Sequence, residues 1–231
     1  MNYLLVTHDL RLRYFLQTYF TKDFPPAFGN GCVLRLTLTR KCASIQMLFP
    51  GYEANGKLAS VKFSALSIPT RTLIGDTYLY RNINIYIVRH GIGEHNVALY
   101  QRCKNPDLPE LFFNDPRLVR KGKLLLKKSM AYLPKTIDLI FASPLVRTRE
   151  TLAVLLKHYP NRTMYIVPGA AEIYNRNEIQ LEVPLSQHRN IPKTFTIEWN
   201  MIPPGKNMID EIVKGQQILK IENKIKNHKD L

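Results

Sequence analysis

The sequence predicts an α/β fold of three layers, with a mainly parallel central sheet covered by helices on both faces. Three observations carry that expectation. Short β-branched runs alternate with amphipathic stretches from Ile83 onward, the pattern of parallel strands joined by crossover helices. The 231 residues, 45% of them hydrophobic, suffice for one domain with a full core. No stretch reaches the roughly 20 apolar residues of a membrane helix, and MNYLLVTHDLRLR at the start has no basic lead before an apolar core. A signal peptide and a membrane partner are therefore not expected.

The elements follow in order. Leu4 to Arg13 reads LLVTHDLRLR, an apolar strand ending at His8 and Asp9, and the next stretch, YFLQTYF, reads as a helix. Asn30-Gly31-Cys32-Val33-Leu34-Arg35-Leu36 reads as a second strand. Between residues 41 and 82, Pro50-Gly51, Asn55-Gly56, Pro69 and Gly75 are turn signals. The alternating SIQMLF and SVKFSAL predict short strands within this linker or insert. Asn84 to Val88 is a buried strand that runs into Arg89-His90-Gly91. From Ile137, IDLIFASPLVRTRETLAVLL reads as a strand, then Ser143-Pro144, then a helix from near Leu145 with Arg147 in its first turn. Residues 207 to 230 carry Met208, Ile209, Ile212, Ile218, Leu219, Ile221 and Ile225 at helical spacing.

A cation, an imidazole and a glycine at a strand end suit phosphoryl transfer. Arg89 presents a planar fork to phosphate oxygens, Gly91 lets the backbone approach an anion closely, and His90 is placed to attack. For the bare tripeptide, a core histidine beside a surface arginine is the preferred account. Arg147 strengthens the anion reading, because a helix start offers free N–H groups and a positive dipole end.

The combination of Arg89-His90-Gly91 with Asn96, then Asp115-Pro116-Arg117-Leu118 with Gly122, then Ser143-x-Leu145-x-Arg147-x-x-x-Thr151, resembles the histidine phosphatase (phosphoglycerate-mutase-like) superfamily. RHGIGEHN, with His95 before Asn96, is most similar to its phosphatase branch. Val119 stands where the family usually has Thr, and Glu94-His95 is not the common spacer. The family's second histidine belongs to a late phrase, V-x-H-G-x-x-x-R, which nothing after Glu172 supplies; His188 and His228 lie in polar stretches. LLVTHDLRLR supplies it at the other end, with His8, Arg13, and Asp9 in place of the usual Gly. Residues 1–40 then correspond to the family's C-terminal part and 83–231 to its N-terminal and middle parts, with 41–82 joining them. The order implies a circularly permuted single domain, which neighbouring surface termini tolerate. A fragment of a tandem array, its site completed by exchange between molecules, explains the same order.

The resemblance implies a metal-independent phosphatase that needs no cofactor and acts on a phosphorylated small molecule or phosphopeptide. His90 would form a phosphohistidine, with Arg89, Asn96, Arg147 and His8 holding the phosphate oxygens. The acid that protonates the leaving oxygen matches Glu172 in MYIVPGAAEIYNRNE, with Glu178 and Glu182 as alternatives. Phosphoglycerate mutase chemistry and a non-catalytic phosphate-binding module stand as the other readings. Arg13 is expected to support the pocket through an ion pair, His95 to be a satisfied neighbour, Trp199 to anchor a loop, and His158 and His188 to lie at the surface.

The formal charge of +15 arises from 33 Lys and Arg against 18 Asp and Glu. The basic residues are scattered, with modest clusters at 120–123 and 127–128, so nucleic acid is not the expected partner. A solvated basic surface that steers anionic substrates accounts for them. Three cysteines, Cys32, Cys42 and Cys103, are odd in number and lack C-x-x-C pairing. They predict a reducing, cytoplasmic setting and no zinc site. The sequence carries no signal for oligomeric state.

Overall fold

The computed structural model describes residues 1–21, 25–75, 79–109, 113, 115–159, 163–167, 170–172 and 196–198. Its strands are β1 (Asn2–Thr7), β2 (Val33–Leu38), β3 (Cys42–Phe49), β4 (Leu66–Pro69), β5 (Ile83–Arg89), β6 (Leu139–Ala142), β7 (Thr163–Ile166) and β8 (Thr196–Glu198). The helices are α1 (Asp9–Tyr19), α2 (Thr70–Ile74), α3 (Glu94–Lys104), α4 (Arg120–Ser129) and α5 (Val146–Leu155).

All eight strands join one mixed sheet in the order β4-β3-β2-β5-β1-β6-β7-β8. β5, β1, β6, β7 and β8 run parallel, and β2, β3 and β4 extend the sheet in antiparallel fashion. The architecture is α/β, with parallel pairing where the helical crossovers lie. Strand alternation divides the core between two clusters. Leu4 and Val6 pack with Tyr86, Val88, Ile140, Ala142 and the α5 residues Leu152 and Leu155. Ile87, Leu34, Leu36 and Ile45 pack with Leu12 and Leu16 of α1.

Some elements differ from expectation. The first helix starts at Asp9, five residues before YFLQTYF, with His8 as N-cap and the Asp9 carboxylate in its first turn, where acidic groups suit the helix dipole; that carboxylate also accepts from Phe28 N–H at 2.8 Å. Residues 41–82 hold the short strands expected there, SIQMLF lying inside β3 with β4 beside it, Cys42 pairing Pro69 and Ile45 pairing Leu66. Of SVKFSAL only Leu66 is in a strand; its alternation serves side-chain burial, with Val61 and Phe63 packed against the second cluster. The predicted helix at 207–230, Trp199, His188, His228, Glu178 and Glu182 lie outside the described residues. Among the described residues no helix is long and apolar enough to cross a membrane.

Candidate functional site

Three neighbouring parallel strands end at one place. Register pairs Thr7 of β1 with Arg89 of β5, and Val6 with Ala142 of β6. The next residue of each strand therefore emerges beside the others: His8, His90 and Ser143. Each strand is followed by a helix whose start faces this edge, α1 after His8, α3 after Gly93 and α5 after Leu145. Helix starts at the carboxyl ends of parallel strands make an electropositive crevice.

His90 is fully buried. Its Nδ1 lies 2.7 Å from the carbonyl oxygen of Gly91. A carbonyl only accepts, so Nδ1 carries the proton and Nε2 keeps its lone pair. That Nε2 is buried with no hydrogen-bond partner among the described residues. The His8 ring lies 5.1 Å away, centroid to centroid, and is equally buried. His8 Nε2 shares a 2.8 Å hydrogen bond with Ser143 Oγ, and His8 Nδ1 sits 3.6 Å from Glu172 Oε2.

Arg147 brings a guanidinium into the same space, 3% exposed. Its terminal nitrogens stand 3.9 Å from Asp115 Oδ1 and 4.0 Å from Glu172 Oε2. These contacts are ion pairs too long to be hydrogen bonds, and Nε has no partner. Arg89 donates one terminal N–H to the Phe28 carbonyl, while its buried Nε is unpaired. Asn96 Oδ1 accepts from Gly93 N–H at 2.9 Å, which turns the amide nitrogen into the group available to an anion. Buried polar atoms are ordinarily paired. Here Nε2 of His90, Nδ1 of His8 and His95, and Nε of Arg89 and Arg147 all lack hydrogen-bond partners among the described residues, which leaves nitrogens for a ligand to satisfy.

Electrostatics favour an anion. Burial first, then the Arg147 charge, hold His8 and His90 well below the ordinary 6.5. His95 falls to about 2 for the same reasons. All three rings are thus neutral in the folded protein, which suits His90 as a nucleophile. Burial raises the Asp115 carboxyl, although the Val146 N–H donates to both its oxygens at 2.9 and 3.1 Å.

The structure brings together His90, His8, Arg89, Arg147 and Glu172, and Asn96 stands at the start of α3, where it holds Gly93. One role needs correction, and Gly91 carries a packing constraint besides the expected anion approach: a Cβ there would stand 2.7 Å from Leu126 Cδ1 of α4. His95 is not a satisfied neighbour, since its buried Nδ1 is unpaired and its ring lies 5.5 Å from that of His90. Arg13 forms an ion pair, as expected, but within α1, with Asp9 at 3.6 Å, and donates from Nε to the Pro25 carbonyl. His158 has no described side chain.

Sequence reasoning places Ser143, Asp115 and Thr151 in the motif pattern without assigning them work. Ser143 holds His8, Asp115 caps α5 beside Arg147, and Thr151 Oγ1 accepts from Gly91 N–H at 3.0 Å. Their presence in the same spaced pattern as Arg147 is the available signal. Nitrogen and oxygen ligand atoms of His8, His90 and Glu172 also lie within 4.8 Å of one another, a donor set of the kind that binds divalent metals. Comparison with models of protein families, with curated proteins and with solved structures finds no match.

Proposed function

We propose that this chain is a metal-independent phosphatase that hydrolyses a phosphomonoester through a phosphohistidine on His90. The observation that carries the reading is the His90 Nε2 lone pair, buried and unpaired, beside Arg147 and a second buried imidazole. In the first step Nε2 attacks phosphorus and the bond to the substrate oxygen breaks. Arg89, Arg147, His8 and the Asn96 amide hold the non-bridging oxygens as charge builds there. Glu172, whose carboxylate lies within 4.8 Å of a nitrogen of each histidine, gives its proton to the leaving oxygen. It then takes one from water, whose oxygen attacks phosphorus as the N–P bond breaks and phosphate departs.

We read the chain as a circularly permuted, three-layer histidine phosphatase domain acting in the cytoplasm. The meeting of His8 and His90 within one chain supports permutation over a tandem fragment, because no exchange between molecules is needed. β1, bearing His8, lies between β5 and β6, as completion of a single site requires.

A second reading follows from the His8, His90 and Glu172 donor set, which could hold a divalent metal. The Arg147 charge 4.0 Å from Glu172 opposes a dication there. Hydrolysis of para-nitrophenyl phosphate tests both readings. Wild type is expected to turn over, His90→Ala to lose the activity, and chelator to have no effect. Equal rates in wild type and His90→Ala would remove the nucleophile assignment, and loss with chelator would favour the metal.

A further inference from the structure

Away from the crevice, α4 and α5 enclose a groove of about 680 Å³ lined by Arg120, Lys123, Leu124, Lys127, Val154 and Lys157. Its origin is the sequence RKGKLLLKKS of α4, which contains no acid. Leu126 of that helix is buried in the core, which leaves the opposite face with Leu124 55% exposed among the lysines. Lys123 is neutralised by Glu150 at 2.9 Å. Arg120, Lys127 and Lys157 have no ion-pair partner among the described residues. The groove thus combines an aliphatic floor with a rim of free cations.

We infer that this groove docks an acidic amphipathic segment of a partner protein, apolar side chains on Leu124, Met130 and Val154, carboxylates against Arg120, Lys127 and Lys157. Charge complementarity selects the sign of the partner. The aliphatic floor selects its class. A peptide presenting leucines at helical spacing buries them there, whereas single-stranded nucleic acid is held by stacking bases on aromatic rings as well as by charge, and among the described residues no aromatic side chain lines the groove. A segment with both carboxylates and leucines engages the floor and the rim together, which a purely ionic ligand does not.

Fluorescence anisotropy tests this with a labelled amphipathic peptide of about ten Glu and Leu residues. The peptide is expected to bind the wild-type chain, and a version with Gln in place of Glu to bind at least tenfold more weakly. Lys127→Glu with Lys157→Glu should raise Kd at least tenfold, and Leu124→Ser about fivefold, both with the wild-type melting temperature and phosphatase rate. Lys127→Gln with Lys157→Gln, which keeps much of the aliphatic stem, replaces the reversal if the latter lowers the melting temperature. An unchanged Kd in the charge variants or in Leu124→Ser would overturn the proposal. So would tighter binding of an oligouridylate that Leu124→Ser leaves unaltered, which would mark a polyanion surface. Because binding is read without turnover, this outcome is independent of the catalytic reading.

Discussion

Gly91 and Leu126 form the contact that seats α4 on the backbone next to His90, and a double-mutant cycle measures it. The Gly91 backbone is outside the positive-φ region, so Ala meets no conformational barrier and would by itself stabilise by about 0.4–1 kcal/mol through the unfolded chain. Against that, its Cβ would stand 2.7 Å from Leu126 Cδ1 and 3.0 Å from Cγ, an overlap expected to cost about 1–3 kcal/mol. Leu126→Ala, at a site 1% exposed, should cost about 2–5 kcal/mol as a cavity. The two changes compensate each other: the methyl that Gly91→Ala adds enters space that Leu126→Ala vacates. The double variant should therefore be no less stable than Leu126→Ala alone, a coupling of about 1–3 kcal/mol. Urea denaturation of the four proteins gives the cycle. Strict additivity, or a Gly91→Ala variant stabilised by the full amount of about 0.4–1 kcal/mol, would refute packing as a constraint on this glycine. Phosphatase rates on the same proteins add a second reading. If the double variant recovers stability and stays inactive, the glycine serves anion approach as well.

Further outcomes follow from single contacts. Asp115, at φ 43°, caps α5 through Val146; Asp115→Asn, which tolerates that backbone and keeps the acceptor, should stay near wild-type stability, and Asp115→Ala should lose about 1–2 kcal/mol. Equal losses would assign the effect to the Arg147 charge instead. Val119 is the N-cap of α4 with no side-chain hydrogen bond, so Val119→Thr should raise stability by about 0.5–1 kcal/mol in thermal melts. The pH dependence follows from His8 and His90, whose folded values lie below 6.5 because of burial and Arg147. The unfolded chain takes up protons that the folded chain refuses, so stability holds above about pH 7 and falls as acid passes through about 6.5, by about 1.4 kcal/mol per pH unit for each histidine. Inorganic phosphate in the crevice should lessen that fall, and a denaturation midpoint constant from about pH 7.5 to 5.5 would contradict the neutral pair.

Local pattern is readable where burial and periodicity coincide. β5 and β6 are apolar runs that end at chemically distinctive residues, and α5 begins one residue after Leu145, with Arg147 in its first turn. Contacts between distant residues are not readable. Nothing near Ser143 in the chain announces that its Oγ meets His8, 135 residues away, and the position of β3 and β4 at the sheet's far side depends on pairings with β2 that no local motif encodes. A glycine beside a histidine fits a phosphate motif, which is why Gly91 reads locally as an anion-approach residue. A further constraint comes from Leu126 in another helix, and only the tertiary packing contains that information.

The central proposal is a covalent phosphoryl group on Nε2 of His90. Acid-free quenching after mixing with a phosphorus-labelled aryl phosphate, followed by peptide mass spectrometry, tests it directly. Wild type is expected to carry a label that is stable in base, lost in acid and located on the peptide containing His90. His90→Ala should carry none. A label that survives acid, that maps to Ser143, or that persists in His90→Ala would contradict the proposal.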